Sequence, residues 1–275
     1  MSRRRLDAEL VRRGLAPTRE QAQARISEGR VVVSGAPATK ASRLVAPAEA
    51  LVVLGGPPPF VGRGGHKLET ALDHFGVRPA GRRALDAGVS TGGFTDCLLQ
   101  RGAAHVVAVD VGHGQIHERL RIDPRLELHE RTNIRRFVLD RPVDLVVADL
   151  SFISLVTVAD ALVGANAEPG ADVVVLVKPQ FEAGRAEASR GRGVISDPAV
   201  WHRVLIEVAS AFEGRGAAMM GAMTSPLRGA DGNVEFLVHL QAHAAFGPRR
   251  VVDLAAVDLA TVVASARSGL AAQAG

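Results

Sequence analysis

Asp110, Asp149 and Lys178 each end a strongly apolar run, at the point where a buried strand would reach its rim. Lys178 is the sharpest of the three, because Pro179 fixes the backbone directly behind it. Glu235 opens a further strand pattern after the turn Gly232-Asn233, and Lys67 begins a helical pattern after Gly64-Gly65-His66. In an open parallel sheet, ligands bind beyond the carboxyl ends of the strands; a last antiparallel strand would begin at that same edge. Two lysines and two carboxylates would then converge there. Such a group suits a poor nucleophile that must lose its proton as it attacks, a ribose 2′-hydroxyl above all. A lysine whose pKa is lowered by burial and a cationic neighbour can act as general base, with carboxylates orienting it. The alternative is two ordinary surface ion pairs.

The run Leu85-Asp86-Ala87-Gly88-Val89-Ser90-Thr91-Gly92-Gly93-Phe94-Thr95 lies between an apolar strand and an apolar helix pattern. Glycines in such a turn let the backbone approach a ligand where a side chain would collide. The spacing is neither the phosphate-binding G-x-G-x-x-G nor a P-loop. Asp86 opens the loop and Asp110 ends the next strand, where a carboxylate suits a ribose diol. An anionic entrance fits the sulfonium and amino group of S-adenosylmethionine better than a pyrophosphate; a dinucleotide-binding domain is the rival reading. The residues assigned to this donor are Asp86, Gly88, Ser90, Thr91, Gly92, Gly93, Phe94, Asp110, Asn133 and Asp149.

Absences narrow the acceptor. Ala148-Asp149-Leu150-Ser151-Phe152 occupies the place where amino-group methyltransferases carry an Asn/Asp-Pro-Pro-aromatic stack, and it has no proline. The single cysteine, Cys97, falls inside a helix and not at the rim, so base C5 methylation lacks its thiol. The acceptor is expected to be an oxygen. His113 and His117 could share a helix face, but no carboxylate or cysteine stands at metal-ligand spacing, so no metal site is assigned. Trp201 reads as a packing residue.

The elements that must position these residues form an alternating series. Strands are predicted at 83–87, 104–110, 125–129, 143–149, 172–178, 216–223 and 234–240; helices near 65–75, 93–101, 114–121, 154–166 and 198–213, with a final helix over 251–272. The fold class is α/β, a three-layer domain around a parallel sheet. Ahead of it, Leu6, Leu10, Val11 and Leu15 mark a first helix, Thr18-Arg19-Glu20-Gln21 caps a second, and Val31–Val33 and Leu51–Leu54 read as strands. These organise into a module over 1–54, a Gly/Pro-rich linker over 55–62 and a large domain over 63–275.

The charge is uneven. Residues 1–60 carry ten Arg/Lys against five Asp/Glu, while the remainder is close to balance. The basic excess therefore belongs to the N-terminal module and favours a phosphate backbone. Aromatic content of 4% with no tyrosine argues against a sheet that binds RNA through stacked rings. The arginines nominated for RNA are Arg4, Arg12, Arg13, Arg19, Arg25 and Arg30, with Arg63 beyond the linker and Arg185 and Arg192 in a Gly/Arg-rich loop beside the catalytic edge. No apolar run is long enough to span a membrane, and Arg3-Arg4-Arg5 is followed by Leu6-Asp7-Ala8-Glu9, unlike a signal peptide. With one cysteine, the expectation is a cytoplasmic protein.

The N-terminal module resembles the alpha-L, or S-four-type, RNA-binding domain. The whole chain resembles the TlyA family, rRNA 2′-O-methyltransferases related to the FtsJ group and often named hemolysins. The likeness is carried by Leu6-Asp7 with Leu10-Val11-Arg12-Arg13-Gly14-Leu15, by Arg63-Gly64-Gly65-His66-Lys67-Leu68 and by Leu85 to Thr95. Ala148 to Ser154, Val177 to Glu182 and Gly232-Asn233-Val234-Glu235-Phe236 complete it. The resemblance implies a Rossmann-like, seven-stranded, S-adenosylmethionine-dependent sheet and a Lys-Asp-Lys-Glu tetrad falling on Lys67, Asp149, Lys178 and Glu235. It also implies cytidine 2′-hydroxyls of 16S rRNA as substrate, with 23S rRNA added in longer members, so that 30S and 50S subunits become the partners. Two departures stand out: Phe60-Val61-Gly62-Arg63 replaces an aromatic-Val-Ser-Arg linker, and His113 stands where a tyrosine is common. The competing readings are a non-catalytic RNA-binding protein on a methyltransferase scaffold and a membrane-active hemolysin.

Overall fold

The computed structural model describes residues 3–27, 29–55, 58–242 and 257–271. It divides into two compact units, Met1–Pro59 and Phe60–Gly275. The first contains β1 (Arg4–Arg5), α1 (Leu6–Arg12), α2 (Arg19–Ser27), β2 (Val31–Val33), β3 (Ala36–Pro37), β4 (Leu44–Val45) and β5 (Leu51–Val53). β2 is the centre of a three-stranded antiparallel sheet between β3 and β5. Leu6, Leu10, Ala22 and Ile26 from the helices form one core with Val31, Val33 and Val45. The cap of α2 follows the sequence: Thr18 Oγ1 accepts from the Gln21 backbone N–H at 3.2 Å. The separate β1–β4 ribbon was not expected, because two-residue strands carry no periodicity to read.

The second unit runs α3 (Gly64–Phe75), β6 (Arg83–Ala87), α4 (Gly93–Gln100), β7 (His105–Val109), α5 (Glu118–Arg121), β8 (Leu126–His129), β9 (Val143–Ala148) and α6 (Leu155–Ala159). It continues through β10 (Ala167–Val177), α7 (Pro179–Glu182), α8 (Arg185–Arg190), α9 (Pro198–Glu213), β11 (Ala217–Thr224), β12 (Phe236–Ala242) and α10 (Leu259–Ala271). Its seven strands lie in the order β11-β12-β10-β9-β6-β7-β8, with β12 antiparallel to both neighbours. Alternate residues of the same strands enter two cores. Val146, Ala148, Val173 and Val175 pack with Leu155, Trp201 and Phe212, whereas Leu145, Val147 and Val174 pack with Leu68, Leu72 and Leu98. Helices cover both faces of the sheet, which is why β9 and β10 are apolar almost without interruption.

Several boundaries differ from the sequence reading. The helix expected over 114–121 contracts to α5, because the segment before it is tied down elsewhere. Asp110 Oδ1 accepts from the Gly112 N–H at 2.7 Å, Glu130 Oε1 accepts from the Gly114 N–H at 2.6 Å, and His113 Nδ1 lies 3.0 Å from Glu130 Oε2. His113 and His117 therefore share no helix face; His117 is the N-cap of α5. The helix expected over 154–166 is α6 followed by a π-helical stretch, Asp160–Ala165. Strand β10 starts earlier than predicted, at Ala167, with a register irregularity before Asp172. The expected linker 55–62 ends sooner: Phe60 is buried, and the Val61 N–H donates to Asp96 Oδ2 at 2.7 Å inside the second unit. Of the predicted final helix, residues 251–256 and 272 lie outside the described residues.

Candidate active site

Strand register alone brings the chemistry to one edge. Ala87 pairs with Val109 and with Ala148, so Gly88, Asp110 and Asp149 follow on three neighbouring strand ends. Val177 pairs with Phe236, so Lys178 and Glu235 leave the sheet side by side. Lys67 arrives from the first turn of α3, and a side chain at Gly64, the start of that helix, would lie 3.7 Å from Asp149 Oδ2. All four residues of the implied tetrad meet here.

They form two pairs of unlike character. Lys67 Nζ donates to Glu235 Oε2 at 2.5 Å, with both side chains almost fully buried. Gly229 presses on that carboxylate; a Cβ there would fall 2.1 Å from Glu235 Oε1. Breaking a buried pair of this kind leaves an uncompensated charge, so each partner fixes the other. Lys178 Nζ lies 2.6 Å from Asp149 Oδ1 and donates to Ser151 Oγ at 3.0 Å. This is the less buried of the two pairs, because the Asp149 side chain keeps 22% of its surface exposed whereas that of Glu235 keeps 2%.

The donor loop adjoins these pairs. Gly88 has φ +91°, and a Cβ on it would lie 2.5 Å from the Asp149 carbonyl oxygen, a position only glycine can fill. Gly92, at φ +98°, turns the chain into α4 beneath Leu120 and Ile116. Asp86 is fully buried; its Oδ2 accepts from Thr95 Oγ1 at 2.6 Å, and its Oδ1 has no donor among the described residues. Desolvation, opposed by the Thr95 hydrogen bond and reinforced by Asp149 and Asp110, pushes this carboxyl up to about 7. Asp110 accepts from the Ser90 and Gly112 N–H groups, which pins the loop. Ser90 carries a left-handed backbone (φ +46°), while Thr91 and Gly93 lie against Gly62. Two assigned residues are placed differently from the rest. The Phe94 ring is buried against Gly64, so only its backbone faces the loop, and Asn133 Oδ1 caps a short 3-10 turn through the Arg135 N–H at 3.0 Å. An orphaned buried acceptor, a turn with glycine at its closest approach and a second carboxylate at a neighbouring strand end fit a cationic, ribose-bearing donor.

Sequence reasoning gave Phe152 no role of its own. Its ring is 91% exposed, its backbone is left-handed at φ +64°, and it leans on Phe181 with ring centroids 5.1 Å apart. Backbone strain of this kind at an exposed aromatic concentrates at functional sites. The segment was visible in the sequence, but a positive φ on phenylalanine has no sequence signature.

The nominated arginines separate into groups. In the first unit Arg13 donates to the carbonyls of Glu49 (2.7 Å), Pro47 (2.9 Å) and Ala46 (3.3 Å) and to Glu9 (2.8 Å). Arg25 donates to the Leu15 carbonyl and Arg30 to that of Leu54. These three serve as internal staples of the first unit, a role that their nomination as RNA ligands did not foresee. Arg12 and Arg19 pair with Glu9 and Asp7 yet stay about half exposed, and Arg4 is exposed on β1. In the second unit Arg63 and Arg192 are exposed. Arg185 opens α8, and its side chain lies outside the described residues. Among the described residues no helix is long and apolar enough to cross a membrane, and no three His, Cys, Asp or Glu gather as metal ligands.

The FtsJ-like methyltransferase family matches residues 60–242, and the S4 domain matches residues 4–51. The chain is 52% identical over 246 residues to a 16S/23S rRNA (cytidine-2′-O)-methyltransferase TlyA of Mycobacterium tuberculosis, covering 88% of this chain and 91% of that protein. It is 36% identical to Hemolysin A of Brachyspira hyodysenteriae, covering 86% and 98%. A solved structure of a hemolysin-named protein from Streptococcus thermophilus superposes with a TM-score of 0.76 at 35% identity, over 99% of this chain and 98% of that one. The chain belongs to the TlyA family of FtsJ-like methyltransferases, with an S4 domain at its N-terminus.

Proposed function

We propose that the protein transfers a methyl group from S-adenosylmethionine to the ribose 2′-hydroxyl of cytidine in 16S and 23S rRNA. The observation that carries this reading is the meeting of Lys178–Asp149 and Lys67–Glu235 beside the Asp86–Asp110 loop. When bound, the donor supplies a methyl group on a cationic sulfur, and Asp86, Asp110 and the 88–93 loop would hold it. Lys178, in its neutral form, takes the hydroxyl proton as the ribose oxygen becomes a nucleophile. Asp149 and Ser151 keep its amine at the strand end, and Asp149 then faces the ammonium that results. Lys67, held rigidly by Glu235, presents a fixed positive charge next to the oxygen that loses its proton. Phe152 offers its ring as a platform for the cytosine, since any base has a face to stack. The S4 domain and its exposed arginines supply the phosphate contacts, through which structured rRNA is recognised by shape.

The test uses labelled S-adenosylmethionine with separated 30S and 50S subunits from an unmethylated strain. Label recovered as 2′-O-methylcytidine in both is the expected result, and Lys178→Ala lowers the rate by about 10²–10⁴ while donor binding persists. An unlabelled product with donor bound and subunits intact favours the non-catalytic RNA-binding reading. Parent-level transfer by Lys178→Ala removes the proposed base. A membrane-lytic role has a relative's name behind it, but among the described residues no helix is long and apolar enough to cross a membrane.

A further inference from the structure

Two segments build the acceptor side of the site: 149–155 after β9, and 178–182 after β10. They are joined at the front by Lys178, which reaches Asp149 and Ser151. A second junction lies behind. Glu182, the last residue of α7, accepts from Ser154 Oγ at 2.6 Å and from the Leu155 backbone N–H at 2.9 Å. Its carboxyl is largely desolvated, and burial pushes it above the ordinary glutamate range. Between the two junctions sits Phe152, with its left-handed backbone and exposed ring against Phe181.

The arrangement is more than a helix cap. Ser154 already caps α6 by itself, its Oγ accepting from the Val156 N–H at 3.1 Å. Glu182 adds a tie between segments that carry different parts of the chemistry: the proposed base on one, the exposed aromatic on the other. α7 is a single turn, so Lys178 and Glu182 are its two ends, and a carboxylate fixed at one end fixes the register of the lysine at the other. The strained φ of Phe152 persists only if its surroundings over-determine it, and the residues on either side of Phe152 are held by these two junctions.

We propose that Glu182 is a positioning residue for methyl transfer, latching the Phe152 segment to the Lys178 segment and so setting where the acceptor nucleotide lies relative to the base. The proposal rests on the methyltransferase reading above. Misplacement by an ångström is enough to cost a hundredfold in rate, and the latch ties Glu182, one helical turn after Lys178, to Ser154, just after Phe152.

The experiment measures rRNA methylation and donor affinity for the full-length parent, Glu182→Ala, Glu182→Gln, Ser154→Ala, Phe152→Ala and the Glu182→Ala/Phe152→Ala double variant. Glu182→Ala lowers kcat/KM for the ribosomal substrate by about ten- to a hundredfold, with the donor Kd within about twofold of the parent. Glu182→Gln recovers most of the loss, because its amide oxygen still accepts from the Leu155 N–H, and Ser154→Ala reproduces part of it. The double variant loses little beyond the larger single loss, because both changes act on one element. A Glu182→Ala variant with parental kcat/KM overturns the proposal, as do losses that multiply in the double variant or a donor Kd that weakens in step with activity. Should Glu182→Ala not fold, Gln and Ser154→Ala decide: parental activity in Ser154→Ala together with an inactive Glu182→Gln contradicts the latch. Failure of the function reading is separate, since the parent itself would then leave rRNA unlabelled.

Discussion

Asp86 makes the stability of the donor-free protein depend on pH in a defined direction. Its carboxyl is fully buried, one oxygen has no donor, and burial pushes its pKa up to about 7. In the unfolded chain it ionises as an ordinary aspartate. Below that ordinary range both states are protonated and the group costs nothing. As pH rises the unfolded chain gives up its proton first, so stability is lost progressively until the folded carboxyl also ionises near 7, and the full penalty holds above that. A difference of about three factors of ten in proton affinity corresponds to about 4 kcal/mol, of which about 2 to 3 kcal/mol is lost between pH 5 and pH 8. Asp86→Asn keeps an oxygen for the Thr95 hydroxyl and removes the charge. The variant should gain stability over the parent as pH rises, the gap widening by about 2 to 3 kcal/mol from pH 5 to pH 8, while its donor affinity falls. Urea unfolding of both proteins across that range, in the absence of donor, reads the difference directly and cancels the titration of every other group. A gap that stays constant with pH, or one that narrows, refutes the assignment of a buried, unpartnered carboxyl.

Other substitutions follow from the same geometry. Gly88→Ala forces a Cβ to 2.5 Å from the Asp149 carbonyl in a left-handed backbone; it should cost about 2 to 4 kcal/mol, lower the Tm by about 5 °C or more, and abolish donor binding by calorimetry. Unaltered donor affinity in Gly88→Ala would contradict the close approach. Arg13→Ala should destabilise the N-terminal unit by about 2 to 3 kcal/mol, read by denaturant unfolding, because the carbonyls of 46, 47 and 49 lose their donor. Arg4→Ala should leave that stability unchanged and reduce the salt dependence of RNA binding by about one unit of slope.

The legible parts of the fold were those written in long periodic runs. β9 and β10 announced a sheet covered on both faces, and the glycine loop announced a ligand that comes close to backbone. Lys178 and Asp149 were visible because a polar residue ending an apolar strand must emerge somewhere, and strand register then did the rest. What stayed hidden depends on contacts between distant residues. The helix expected at 114–121 starts late because Asp110 and Glu130 tie down the backbone at Gly112 and Gly114, a competition that periodicity does not reveal. Arg13, Arg25 and Arg30 look like phosphate ligands in sequence, yet each guanidinium is turned toward the protein's own carbonyls. Glu182 ends the motif Val177–Glu182 with no assigned role until Ser154 and Leu155 are seen against it. Phe152 was noticed for the prolines that do not precede it, while its outward ring and left-handed backbone were unreadable.

The partners of the buried Lys67–Glu235 pair lie 168 positions apart, and β12, which follows Glu235, inserts between β10 and β11 instead of adding to an edge. A chain leaving the ribosome therefore offers α3, the donor loop and Lys178 to solvent well before the strand that completes them exists. Until β12 is threaded into its slot, Lys67 has no Glu235 to face and β10 presents an open edge. Placement of β12 between β10 and β11 is thus the step that completes both the sheet and the buried pair.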